Sequence, residues 1–125
     1  MTNYLANAVA NAVLRNTSYT SPASVYATLY SVAPTASTSG TELTGNGYAR
    51  QLTTFSAPSA GAATSNVAVT FGAATGNAWP TVVAFGIVDS SSSGNILFYK
   101  TISGRNIKVG DTLVIDSGDI TITIG

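Results

Sequence analysis

The sequence contains no histidine and no cysteine, and its 125 residues include only five Lys+Arg and five Asp+Glu. Without cysteine the chain can form no disulfide and offers no thiolate. Without histidine it lacks the general base of a Ser-His-Asp triad and the imidazole ligands of most zinc sites. We therefore expect no catalytic residues, no cofactor and no bound metal, and we predict that the protein is not an enzyme.

Charged residues are scarce as well, at 8% of the chain with a formal net charge of zero. No cluster of basic residues is present that would attract nucleic acid, and no apolar run approaches the roughly 20 residues of a membrane span. A surface with so little charge is weakly protected against association. We expect copies of the same chain or other subunits to cover much of it. The alternative is a monomer kept soluble by its many Ser, Thr and Asn residues.

Residues 3–15 form the segment with helical periodicity. Leu5, Val9 and Val13 recur at intervals of four and place an apolar stripe on one face, and Asn3 can cap the N-terminus. So short a helix is marginally stable alone and must dock, either on its own domain or on a neighbouring subunit. The candidate interface residues of this segment are Tyr4, Leu5, Val9 and Val13.

From residue 25 onward the apolar period changes to two, as in β-strands. The predicted strands are residues 24–32, 48–55, 66–72, 81–88, 96–102, 107–109, 113–115 and 120–124. Short strands separated by turns, with no helices between them, are typical of an antiparallel sandwich. The predicted fold is therefore all-β, an antiparallel β-sandwich of jelly-roll or Ig-like type with one short N-terminal helix. We assign the helix to residues 1–16 and a single β-sandwich domain to residues 17–125.

Two segments of the β region stand out. Residues 81–88 are the most apolar run, which predicts a central strand with Phe85 in the core and Gly86 at a bulge or a close packing approach. Residues 35–47 are polar and glycine-containing, which predicts a long exposed loop of the kind that is often functional or covered by a partner. Residues 58–65 are small and are predicted to form a turn.

Three features could carry binding, and each has a plainer explanation. Residues 116–119, Asp-Ser-Gly-Asp, offer too few oxygen ligands for a cation and are typical of a turn. Trp79 could form a sugar platform, although aromatic residues at strand ends more often fill a core or an oligomer interface. Arg50 lies among uncharged residues, which favours a bridge that orders the preceding loop over capture of a ligand. Further candidate interface residues are Glu42, Tyr48, Arg50 and Trp79.

The order of several short motifs resembles a family of small tailed-bacteriophage virion proteins, often described as tail fibre or minor structural proteins. The motifs extend over about residues 25–124 and include Val25-Tyr26-Ala27-Thr28-Leu29-Tyr30, Gly40-Thr41-Glu42-Leu43, Gly47-Tyr48-Ala49-Arg50-Gln51, Trp79-Pro80-Thr81-Val82, Phe85-Gly86-Ile87-Val88-Asp89 and Val109-Gly110-Asp111-Thr112. The resemblance implies a β-sandwich subunit of a phage particle that has no catalytic activity.

Within that class, the neutral single domain favours a capsid cement or decoration protein on the capsid surface. Its partners would be the major capsid protein and copies of itself, with a trimer as the first expectation. The alternative is a tail or tail-fibre-associated subunit that contacts other tail proteins. A hypothesis from a different class is a host-surface carbohydrate-binding module built around Trp79. No fibre-like sequence repeat is present, and a long fibre would need one.

Overall fold

The computed structural model describes residues 1–124 and contains one helix and nine strands. The elements are α1 (Asn3–Leu14), β1 (Val25–Val32), β2 (Thr41–Glu42), β3 (Gln51–Thr53), β4 (Ala62–Thr64), β5 (Val69–Gly72), β6 (Val82–Val88), β7 (Ile96–Arg105), β8 (Thr112–Ile115) and β9 (Thr121–Thr123). The division into a helix of residues 1–16 and a domain of residues 17–125 stays a prediction. Its last residue, Gly125, lies outside the described residues.

The strands form two layers, as predicted for an antiparallel sandwich. The first layer is a five-stranded sheet in the order β2-β1-β6-β7, with β3 also paired to β1. The second layer consists of two separate ribbons, β4 with β9 and β5 with β8. Every pairing is antiparallel. The all-β prediction is confirmed, and the split second layer gives the sandwich an incomplete face.

The hydrophobic core lies between the large sheet and the two ribbons. Ala27 and Leu29 of β1 and Ile87 of β6 meet Phe71 of β5 and Leu113 of β8. These side chains are almost completely buried, and burial of apolar area contributes roughly 25 cal/mol per Å². Because the core joins residues from strands far apart in sequence, it fixes the ribbons against the sheet.

β1 is apolar on both faces because both are covered. On its second face the Tyr30 ring, itself only 2% exposed, lies against Gly86 of the neighbouring β6. A Cβ atom at Gly86 would lie 3.0 Å from the Tyr30 ring and 3.0 Å from the Phe98 carbonyl oxygen. The Thr28 hydroxyl lies 3.0 Å from the Tyr30 hydroxyl and 3.2 Å from the Gly86 carbonyl oxygen. The close approach predicted at Gly86 is therefore present, and a bulge lies next to it between Ile87 and Val88.

The N-cap of α1 lies one residue before Asn3, the cap predicted for it. Thr2 is the N-cap, since its hydroxyl accepts a hydrogen bond from the backbone N–H of Leu5, whereas Asn3 is already helical. The same hydroxyl lies 2.6 Å from the Ile96 carbonyl oxygen, and the Thr2 N–H donates to the Leu97 carbonyl. The prediction that Asn3 is the cap was wrong, because the contacts of Thr2 with distant β7 hold Thr2 at the cap position. With twelve residues, α1 is too short to cross a bilayer.

Several predicted loops and strands have different limits in the structure. Residues 35–47 are not a continuous exposed loop, because they contain β2, and Leu43 is buried with its N–H bonded to the Leu29 carbonyl. Residues 58–65 contain β4, which pairs with β9. The strand predicted at residues 48–55 is reduced to β3. These differences arise because the pairing partners lie far away in the sequence.

Phe85 lies on central β6 as predicted, but it is only partly buried. The fully buried phenylalanine is Phe71, which is 0% exposed. The reason is the split second layer: Phe71 lies on a ribbon that faces the sheet, whereas Phe85 lies where no ribbon covers the sheet completely. The prediction that Phe85 is a central core residue is corrected accordingly.

Candidate intersubunit surfaces

Glu42, Tyr48 and Arg50 form one hydrogen-bonded cluster beside β1. The Arg50 guanidinium binds the Glu42 carboxylate at two points, with Nη2 2.8 Å from Oε1 and Nε 3.0 Å from Oε2. The Tyr48 hydroxyl donates to Glu42 Oε2 at 2.6 Å. The ion-pair side chains are 14% and 22% exposed. Two parallel N–H···O bonds give this pair a fixed geometry as well as energy.

The same guanidinium also holds the turn between β6 and β7. Arg50 Nη1 lies 2.8 Å from the Ser90 carbonyl oxygen and 2.7 Å from that of Ser93. Arg50 therefore satisfies a carboxylate and two backbone carbonyls together. The bridging role favoured from the sequence is what the geometry shows, and a guanidinium with these partners has little capacity left for a ligand.

Tyr48 completes the hydrogen bonding of β1 on the edge opposite β6, at a point where neither β2 nor β3 pairs with it. β3 pairs with Val25–Ala27, and β2 pairs with Tyr30 and Val32. Between them, the Leu29 N–H donates to the Tyr48 hydroxyl at 3.1 Å. Burial, reinforced by the hydrogen bond to Glu42, raises the pKa of that hydroxyl. The hydrogen bond to Glu42 also raises the pKa of Arg50. Burial and hydrogen bonding within the chain therefore account for the pKa shifts of Tyr48 and Arg50.

Trp79 belongs to the core and presents no open ring face. It is 5% exposed, its Nε1 donates to the Asn46 carbonyl at 2.8 Å, and Tyr48 packs against it edge-on at 5.8 Å between ring centroids. Tyr48 in turn stacks on Phe71 at 6.1 Å. A sugar ring needs an accessible aromatic face, so the platform considered for Trp79 is not available.

The candidate residues of α1 are placed differently from one another. Leu5 is buried within the chain, Val9 is partly buried, and Tyr4 is 43% exposed. Val13 is 74% exposed and the neighbouring Leu14 is 79% exposed, the largest values among the exposed large hydrophobic residues. The first half of α1 is thus docked on the chain, and the second half stands away from it. The assignment of these residues to an interface stays a prediction.

An apolar groove, defined by Phe85, Ile102, Leu113, Ile115 and Ile120, opens between the large sheet and the ribbons. It has a volume of about 340 Å³ and adjoins a second cavity of about 180 Å³ that shares Phe85 and Ile120. Sequence reasoning missed it, because alternating apolar residues look the same whether or not a second layer covers them. A sequence signal was nevertheless present, since the strands predicted at residues 113–115 and 120–124 are shorter than the one predicted at residues 96–102.

The carboxylates considered as a cation site belong to a turn. Residues 116–119 form a turn in which the Asp119 N–H donates to the Asp116 carbonyl, and Gly118 has a positive φ of 89°. Within residues 1–124 no three Asp or Glu residues come together as metal ligands would. Residues 116–119 are therefore explained by turn formation, as predicted from the sequence.

Comparison with known protein families decides the class of this protein. The family described as "Podophage GP4 fiber I protein gp80" matches residues 1–123, which is nearly the whole chain. The chain belongs to this family. It is therefore a structural protein of a tailed-phage virion, as the motif order had indicated. A search of curated proteins gives no match.

Membership in the gp80 fibre family gives the surface features a context. A virion structural protein acts by binding other subunits, so such contacts are expected at exposed apolar surfaces. Two exposed apolar surfaces of this chain are the second half of α1 and the apolar groove.

Proposed function

We propose that this protein is a non-enzymatic subunit of a phage tail fibre and contacts copies of itself and other tail proteins. The observation that carries the proposal is the match of the gp80 fibre family over residues 1–123. The contact surfaces support it, because the exposed end of α1 and the apolar groove are both free for partners in the described chain. A fibre subunit also has no need of the catalytic groups that the composition lacks.

The cluster of Glu42, Tyr48 and Arg50 has a supporting role in this proposal. Its members bind one another and the turn at residues 90–93, so they hold that end of the sandwich in one shape. A subunit that must fit repeated neighbours benefits from such pre-organisation, since less conformational freedom is lost on binding.

Capsid cement is the second candidate, with the major capsid protein as partner and a trimer as the expected form. Two observations favour it: a formal net charge of zero and a chain without fibre-like repeats. Repeated copies on a symmetric shell would turn weak contacts into firm attachment through avidity. A short fibre assembled from separate copies accounts for the missing repeats equally well.

Copy number per virion separates the two roles. Purified virions would be analysed by quantitative mass spectrometry with the major capsid protein as internal reference. A fibre subunit gives a few copies per particle, in multiples of about three or six set by tail symmetry. A ratio close to that of the capsid protein would instead establish cement and refute the fibre role. Antibody labelling of intact particles, seen by electron microscopy at tail or capsid, provides the independent check.

A further inference from the structure

The second half of α1 carries apolar side chains that nothing in the described chain covers. Residues 12–18 are all exposed, and Val13 and Leu14 lie 74% and 79% open to solvent. A helix of twelve residues is near the limit of stability in water, and its stability usually comes from packing an apolar face. The first turns meet this need through Leu5 and the Thr2 cap, whereas the last turn does not.

The apolar groove is the complementary surface. It lies beside β7, which is the edge strand of the large sheet. β7 pairs with β6 along one edge, and its other edge pairs with no strand among residues 1–124. Its floor and walls are aromatic and branched aliphatic side chains, and Val114 at its side is 46% exposed. An opening of about 340 Å³ that adjoins another of about 180 Å³ can accept several aliphatic side chains from a partner.

One charged residue of the groove also favours this occupant. No residue in Asn3–Leu14 is charged, as suits an apolar groove, and Arg15 follows directly. The mouth of the groove carries two charges, those of Arg105 and Asp119. With Leu14 inserted, Arg15 would lie at the mouth, where Asp119 can pair with it.

We propose that the last turn of α1, with Val13 and Leu14, inserts into the apolar groove of a second copy of this chain. Because the two contact surfaces are different patches, the contact is head-to-tail and each copy keeps a free helix and a free groove. Such contacts form rings when the rotation closes and extended chains when it does not. This inference rests on the proposed fibre function, for which it supplies the means of joining subunits.

Engineered cysteines test the contact directly, because the chain has none of its own. Purified Leu14→Cys protein would be mixed with separately purified, isotope-labelled Val114→Cys protein under mild oxidation. We expect disulfide-linked heterodimers, since a bridge requires Cα atoms within about 7 Å. Leu52→Cys is the matched control, because Leu52 is 55% exposed and lies outside both surfaces. If Leu14→Cys couples only to itself, or to Val114→Cys no faster than Leu52→Cys does, the contact is refuted.

Sedimentation velocity provides the second test. A contact of one helical turn is small, so we expect weak association that becomes visible between about 10 µM and about 1 mM. Leu14→Asp should weaken it at least about ten-fold, whereas Leu52→Asp should leave it unchanged. Arg15→Glu should weaken it about two- to five-fold, and Asp119→Lys should restore part of that loss. Association of Leu14→Asp equal to that of the unmodified chain would overturn the proposal.

The outcomes also separate this inference from the fibre proposal. If copy number and labelling place the protein on the tail but neither cross-linking nor association occurs, the self-contact is wrong and the fibre role stands. If Leu14→Asp associates normally yet fails to enter virions, α1 binds a different virion protein, which also refutes the contact with a second copy. Cross-linking of a protein whose copy number matches the capsid protein would preserve the contact and remove the fibre role.

Discussion

At the scale of single residues, Tyr48 shows how one side chain completes a β-sheet. Its hydroxyl accepts the Leu29 N–H and donates to Glu42, which fills the gap between β2 and β3 along β1. Its ring stacks on Phe71 and packs against Trp79. The sequence indicated Tyr48 as a contact residue for partners, and the structure places most of its contacts inside the chain.

Tyr48→Phe tests the role of that hydroxyl. Loss of the hydroxyl leaves the Leu29 N–H without a partner and removes one of the three hydrogen bonds to the Glu42 carboxylate, which keeps its two from Arg50. We therefore expect unfolding to become easier by about 1–3 kcal/mol at neutral pH. Tyr99→Phe is the control, because the Tyr99 hydroxyl makes no hydrogen bond within residues 1–124. Urea unfolding monitored by circular dichroism measures both, and equal stability of the two variants would contradict the assignment.

The same tyrosine predicts a loss of stability at alkaline pH. Burial raises the pKa of Tyr48 in the folded state above the value of about 10 that it has in the unfolded chain. The stabilisation is therefore complete below about pH 10 and is lost as the pH rises further. The unfolding free energy of the unmodified chain should fall between about pH 9.5 and 11.5. That of Tyr48→Phe should fall less, and parallel curves would refute the explanation.

Two phenylalanines differ in how much of the core they support. Phe71 is completely buried, so Phe71→Ala should reduce the unfolding free energy by about 3–5 kcal/mol. Phe85 was predicted to lie in the core, but it is only partly buried beside the apolar groove, so Phe85→Ala should cost less than half as much. Chemical denaturation of the two variants in parallel makes the comparison, and a larger loss for Phe85→Ala would show that the groove is closed.

At the scale of elements, Arg50 joins parts of the chain that local sequence would leave independent. It ties β2, through Glu42, to the turn between β6 and β7. That turn has its own local support, because the Asn95 N–H donates to the Asp89 carboxylate at 2.7 Å. The local bond sets the shape of the turn, and Arg50 sets its position.

Arg50→Lys separates these two contributions. A lysine keeps the charge but cannot reach the carboxylate at two points and two carbonyls together. We expect a loss of about 2 kcal/mol in unfolding free energy and faster amide exchange in residues 90–95, with the strands of the core unaffected. Arg105→Lys is the control, since Arg105 is exposed. Unchanged exchange in residues 90–95 would mean that the turn needs no support from Arg50.

The elements themselves were predictable to different degrees. The helix, β1, β6 and β7 carry long periodic patterns and were expected close to their observed positions. β9 is short but lies within the strand predicted at residues 120–124. β2 and β4 have two or three residues each and were predicted as parts of a loop and a turn, because they are strands only through their pairing partners. Thr2 became the cap, in place of Asn3, for the same reason, since its hydroxyl also contacts β7.

At the scale of the whole molecule, the small number of charges predicts how the proposed self-association depends on salt. With five Lys+Arg and five Asp+Glu, long-range electrostatic forces between copies are weak. Self-association driven by Val13, Leu14 and the apolar groove should therefore persist, or strengthen slightly, between about 0.05 M and about 1 M NaCl. Sedimentation equilibrium at the two concentrations measures it. Dissociation of the copies by salt would mean that ion pairs, rather than apolar contacts, hold them together.

The sequence alone determined the class of fold and excluded sites that need histidine or cysteine. Periodicity of two with few helices requires sheets, and the absence of histidine and cysteine is independent of how the chain folds. Motif order also indicated a phage structural protein, which the gp80 fibre family match confirms. These properties are local or compositional, so no knowledge of the partners of each residue is needed to read them.

Tertiary structure alone decided which apolar residues are covered. Phe71 and Phe85 both alternate within apolar strands, yet one is enclosed and the other borders an open groove, because the second layer is split into two ribbons. Leu5 and Leu14 both lie in α1, yet one is docked and the other is exposed. Burial depends on what lies across from a side chain, and contacts between residues distant in the chain settle that.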